Sequence, residues 1–205
     1  RMSNNADSMP GRTEGMIRLV RKALGDKVAI YADANGSYDA PKAIEIGKLL
    51  QDHGINMFEE PCPFDYLEET KQVADALDIP VAGGEQETSL RRFRWMIHND
   101  AVQVVQPDLH YNGGFIRATR VARMAAQAGM KIVPHMSGEG TGSIDVLQFA
   151  SFTPNTGPFQ EYKGDIEQTG QWYDPPLRLK DGEINVPTGP GLGIVADILR
   201  DARPV

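Results

Sequence analysis

The sequence predicts an α/β fold: a (β/α)8 TIM-type barrel, of which about six of the eight β/α units lie within this chain. Three observations predict it. Short apolar strands alternate with amphipathic helices along the chain, which implies a parallel sheet because each right-handed crossover returns the chain in the same direction. Nearly every strand ends on a carboxylate, amide or imidazole, so the polar groups would share one mouth, as they do when a parallel sheet closes. No strand leads into a GxGxxG or GxxxxGK[ST] loop, so the nucleotide-binding signatures of an open doubly wound sheet are absent.

The elements follow in order. The chain opens at Arg1 with a polar, turn-rich run through Pro10-Gly11-Arg12 that reads as a loop inside a larger protein. From Thr13, the residues Met16, Ile17, Leu19, Val20 and Leu24 recur at helical spacing, and Gly25 closes the helix. Strands are expected at 29–33, 55–59, 81–84, 102–106, 132–134 and 159–160. Helices are expected between them, at 40–51, 67–77, 89–98, 114–128 and 142–150.

Composition narrows the classes of function. The 28 acidic and 21 basic residues give a net charge of −7, without the basic stripe that phosphate neutralisation needs, so neither nucleic acid nor an anionic membrane is an expected partner. Cys62 is the single cysteine, which excludes an intrachain disulfide. With no apolar run long enough to span a bilayer, the expected location is the cytoplasm.

Two constellations carry chemistry. Asp33, Glu59 and Glu85 are separated by 26 residues each, one β/α unit per interval, so three carboxylates would converge from consecutive strand ends. Hard oxygen donors of this kind suit Mg2+, which keeps waters and takes few protein ligands. Glu60 competes with Glu59 for the second position, and the spacing favours Glu59. Asp108 and His135 lie 27 residues apart and form an expected acid/base dyad: an aspartate beside an imidazole fixes its tautomer and raises its pKa. His53 and His98 fall on helix faces or ends and read as structural. His110, just past Asp108 on a mouth loop, is placed to touch substrate.

Asp33-Ala34-Asn35, Glu59-Glu60-Pro61, Gly84-Glu85, Gln106-Pro107-Asp108 and Pro134-His135, at these intervals, resemble the mandelate racemase group of the enolase superfamily. The resemblance runs from about Arg1 to the Gly189-Pro190-Gly191-Leu192-Gly193 tail. It implies Asp33, Glu59 and Glu85 as Mg2+ ligands, Asp108 and His135 as the catalytic dyad, and Asn35 as a residue that binds substrate or a ligand. It also implies a role for Glu161, in Phe159-Gln160-Glu161-Tyr162, in hydrogen bonding to the developing enediolate. The family's Lys-x-Lys or Lys-x-Arg base motif finds no match on a strand between Arg1 and Asp26. The expectation is therefore that residues 1–205 are the C-terminal catalytic barrel portion, with the base motif, the first two strands and an α+β capping domain lying upstream. Such a fragment would be inactive alone and would expose sheet edges.

The implied reaction is proton abstraction next to a carboxylate on a small acid-sugar substrate. Gly83-Gly84-Glu85-Gln86-Glu87-Thr88 and the Asp7-Ser8-Met9-Pro10-Gly11-Arg12 lead-in look more like acid-sugar dehydratases than racemases, which makes a sugar-acid hydro-lyase the first expectation. A racemase or epimerase is the second, and a non-catalytic degenerate barrel the third. Family resemblance also suggests a homo-oligomer.

Overall fold

The computed structural model describes residue 5 and residues 9–137, 142–164 and 169–195. Five parallel strands form one sheet in sequential order: β1 (Tyr31–Asp33), β2 (Met57–Glu59), β3 (Val81–Gly83), β4 (Val104–Val105) and β5 (Lys131–Ile132). Helices precede and link them: α1 (Arg12–Leu24), α2 (Ala40–Asp52), α3 (Leu67–Ala76), α4 (Leu90–His98) and α5 (Phe115–Gln127), with α6 (Gly142–Phe152) following β5. Sequential parallel order with a helix in every crossover is the arrangement of a β/α barrel, here as a partial arc.

The helices form where the periodicity asks for them. In α2, Ala40, Ala43, Ile46, Gly47 and Leu50 are buried at helical spacing, Asp39 caps the N-terminus by accepting from Lys42 N at 3.0 Å, and Pro41 stands in the first turn. Helices α4 and α5 bury Phe93, Met96 and Ile97, and Ala118, Val121, Ala122 and Ala125, in the same way. The short strands β2 and β3 are buried at every position, as strands covered on both faces must be. Helix α1 is capped by Gly25 at φ 63, and of its apolar residues only Ile17 is buried; Met16, Leu19 and Leu24 are exposed, and Thr13, Met16, Ile17 and Val20 line a hollow together with Tyr31, Ala32 and Asp33 of β1.

One expected strand is displaced. Residues 159–160 form none, and Phe159 is 62% exposed. The chain meets β5 earlier, through a parallel bridge between Ile132 and Thr156, with Ile132 N donating to Asn155 O and Gly157 N to Ile132 O. Asn155, Thr156 and Gly157 carry no apolar signal. Glycine is required there because a Cβ on Gly157 would lie 2.6 Å from Val133 Cγ2. A hairpin of β6 (Leu179–Lys180) and β7 (Glu183–Ile184), turned at Asp181 and Gly182 with positive φ at both, was not among the expected elements. Ile184 packs on a second small core of Ile144, Tyr173 and Leu177. Among the described residues, no helix is long and apolar enough to cross a membrane.

Candidate active site

Asp33, Glu59, Glu85, Asp108 and His135 lie at, or two to three residues beyond, the C-terminal ends of β1 to β5. Asp33 and Glu59 are the last residues of β1 and β2 and face each other in register. Glu59 pairs with Ala82, so Glu85 lies three residues beyond that register, past the turn at Gly83 and Gly84. Gly84 has φ 115, and a Cβ there would lie 2.7 Å from Phe93 Cε1, so only glycine lets the chain swing Glu85 back over the sheet. On the other side of the sheet Val105 pairs with Ile132, an offset of 27, which is also the separation of Asp108 and His135. The two therefore emerge side by side.

Asp108 is 1% exposed and its carboxylate is fully engaged. Oδ1 accepts from the backbone N–H of His110 at 2.7 Å and of Tyr111 at 2.9 Å; Oδ2 lies 2.9 Å from His135 Nδ1 and accepts from Ser137 N at 2.9 Å. Burial alone would push this carboxyl up, but the bonds from His135, Tyr111, Ser137 and His110 outweigh it and hold Asp108 well below the usual carboxylate range. For His135, burial pushes the pKa down, and Asp108, Glu85 and Glu161 together push it further the other way, so it stands above its ordinary value. Its second nitrogen, Nε2, is 3.4 Å from Glu85 Oε2. The imidazole thus bridges a buried, ionised aspartate and the carboxylate cluster.

That cluster is short of positive charge. Burial, chiefly, and repulsion from Asp33, Glu161 and Glu85 push Glu59 to about 7 against the opposing hydrogen bond of Gln106. Glu60, 3% exposed, is pushed to about 8 by burial and by Glu85, Asp33 and Glu59; its Oε2 accepts from Gln86 Nε2 at 3.3 Å, and its Oε1 is buried without a hydrogen-bond partner. Glu85 is raised by burial, partly offset by His135. Among the described residues, no three Asp, Glu, His or Cys side chains are already drawn together closely enough to hold a metal ion. The donor set nonetheless fits one: several buried carboxylates repel across one space, and a hard divalent cation that keeps part of its hydration needs no preformed cage.

The remaining candidates take distinct places. Asn35, at φ 47, donates its backbone N–H to Asp33 Oδ1 at 2.6 Å, forming the turn that orients Asp33. Glu161 Oε2 accepts from Met136 N at 2.5 Å, which brings it to the residue after His135 although the strand expected to carry it does not form. The ring of His110 lies 2.8 Å from Asp145 Oδ2 on α6 and is 47% exposed, at the rim rather than among the carboxylates. Sequence reasoning missed Lys163, whose Nζ donates to Met136 O and whose charge is felt at Glu85. Its signal was the i, i+2 spacing from Glu161, which in an extended chain points two side chains the same way. Asp145, hidden in a helix, had no comparable signal.

The fold and the placement of these residues define an α/β-barrel protein whose polar groups gather at one mouth. The family described as enolase C-terminal domain-like matches residues 5–200, and the chain belongs to it, within the enolase superfamily. It is 34% identical over 199 residues to the D-galactarolactone cycloisomerase of Agrobacterium fabrum, covering 91% of this chain and 51% of that protein. It is 31% identical over 180 residues to the arabinonate dehydratase of Saccharolobus solfataricus, covering 86% and 47%. The chain thus spans about half the length of these relatives. Among solved structures, a protein of Roseobacter denitrificans described as a candidate racemase shares 41% identity at a TM-score of 0.86, covering 97% of this chain and 56% of that one. A mandelate racemase/muconate lactonizing protein of Paracoccus denitrificans complexed with magnesium shares 31% at 0.83, covering 94% and 52%.

Proposed function

We propose that this chain is the catalytic barrel portion of a Mg2+-dependent sugar-acid dehydratase, which removes water from an aldonate or aldarate to give a 2-keto-3-deoxy acid. The observation that carries the reading is His135, held through Nδ1 by Asp108 and presenting Nε2 to the carboxylate cluster. Dehydratases among the relatives support the choice of reaction.

Asp33, Glu59 and Glu85 would hold the ion, which when bound offsets the negative charge that builds on the substrate carboxylate. Asp108 keeps Nδ1 of His135 protonated, so in the neutral ring Nε2 is the free base. Nε2 accepts the proton from the carbon next to the carboxylate. The resulting imidazolium is stabilised by ionised Asp108, and it returns the proton to the β-hydroxyl, which departs as water as its C–O bond breaks. The enol left behind tautomerises to the 2-keto acid. Glu161, tied to Met136 N through Oε2, would carry a proton on Oε1 when substrate is bound and donate it in a hydrogen bond to the developing enediolate, and Asn35 and His110 line the approach.

The test is a panel of aldonates and aldarates presented to the intact protein with Mg2+, scored for 2-keto acid. Turnover of at least one, abolished in His135→Asn, is the expected result; no turnover with any, and no exchange of substrate hydrogen with deuterated water, defeats the reading. A racemase or epimerase shares the proton-abstraction step, and the likeness to the Roseobacter denitrificans protein favours it. Deuterium incorporation without keto-acid formation would decide for that alternative.

A further inference from the structure

Among the described residues, Lys163 brings a cation to the mouth that the proposed chemistry leaves unused. Lys163 lies on the segment that follows the Ile132–Thr156 bridge, is exposed together with its neighbours Tyr162 and Gly164, and donates from its ammonium group to Met136 O. The backbone N–H of the same residue, Met136, is taken by Glu161. His135 is the residue before Met136, and the charge of Lys163 is felt at Glu85. One bond to a carbonyl uses one of its three donors, so two remain for a ligand.

A cation matters here because of what surrounds it. Asp33, Glu59, Glu60, Glu85 and Glu161 all bear on the same space. An incoming carboxylate is repelled by that field unless a positive charge meets it. The proposed ion serves the carboxylate bound at the buried end, where Glu59 and Glu85 stand at 9% and 7% exposure. A second carboxylate, at the far end of the substrate and nearer the rim, needs its own partner.

Resting on the sugar-acid reading, we infer that Lys163 binds the distal carboxylate of the substrate and selects an aldarate, a diacid, over the corresponding aldonate. The ammonium group supplies a charge-assisted hydrogen bond to an oxygen that in an aldonate is a neutral hydroxyl.

The experiment compares hexarates with hexonates of matching configuration, in the intact protein with Mg2+, for the wild type, Lys163→Gln and Lys163→Arg. Glutamine keeps an N–H donor for Met136 O and loses the charge, so a purely structural brace would survive it. The expected result is a wild type that prefers the hexarate, and a Lys163→Gln variant whose KM for the hexarate rises about 10- to 100-fold with the hexonate unchanged. Lys163→Arg recovers part of the loss. Equal effects on both substrates, or a wild-type preference for the hexonate, overturn the inference. If the wild type dehydrates neither class, the reaction reading has failed and the lysine is tested by affinity alone. Calorimetric Kd values for succinate against butyrate then decide: a diacid preference that Lys163→Gln removes supports the inference, and no preference overturns it.

Discussion

Asp108 Oδ2 lies 2.9 Å from His135 Nδ1, and the same carboxylate also takes the backbone N–H groups of His110, Tyr111 and Ser137. One buried side chain therefore orients the imidazole and also closes two mouth loops. Removing it tests both functions. Asp108→Asn, which keeps size but not charge, should lower kcat/KM about 10²- to 10⁴-fold, the usual worth of a positioned acid/base. Asp108→Ala should cost about 3 kcal/mol in urea unfolding, because buried donors lose an ionised acceptor. Full activity in Asp108→Asn would falsify the dyad.

The depressed pKa of Asp108 also sets an acid limit. Its stabilisation is fully present above the unfolded value of about 3.9 and is lost as pH falls through the lower folded value. Thermal melts of the wild type should therefore lose stability below about pH 4, with a shallower slope in Asp108→Asn. Parallel slopes would show that other carboxylates govern the acid transition.

The repulsion among Glu59, Glu60 and Glu85 predicts opposite effects with and without metal. Glu59→Gln should raise the Tm of the metal-free protein at pH 8, by removing one of several buried like charges, and should abolish the rise that Mg2+ produces in the wild type. The stabilisation behind that rise is about 2.7 kcal/mol at a hundredfold excess over Kd. A variant that still responds fully to Mg2+ would remove Glu59 from the ligand set.

Gly84 is the pivot between β3 and Glu85. Gly84→Ala puts a Cβ 2.7 Å from Phe93 Cε1 in a left-handed conformation, so it should destabilise the fold by about 2 kcal/mol and weaken Mg2+ binding as well. Differential scanning fluorimetry with and without Mg2+ measures both. An unchanged Tm would mean that Phe93 gives way freely.

Cys62 is 1% exposed, and burial pushes its thiol up to about 12. It should resist iodoacetamide at pH 8 in the folded protein and react within minutes in 6 M guanidinium, as mass spectrometry would show. Alkylation of the native protein would place the cysteine in an open region.

The sequence by itself determined the alternation of elements, the parallel sheet and the residues at its strand ends, because apolar periodicity and turn chemistry are local properties. It also determined the meeting of Asp108 and His135, whose separation equals the register offset of the strands that carry them. Only the tertiary structure decided the rest. The interval from Glu59 to Glu85 equals that from Asp33 to Glu59, yet the first pair sits out of register and the second in it, because strand pairing and the Gly84 turn divide the same number of residues differently. The expected strand at 159–160 gave way to a bridge at Thr156, where polar residues pair through backbone groups that leave no trace in side-chain pattern. Asp145 reached the rim for the same reason: long-range contacts depend on where a chain returns, and for a residue inside a helix nothing in its neighbours encodes that, whereas Lys163 could be read only by its spacing from Glu161.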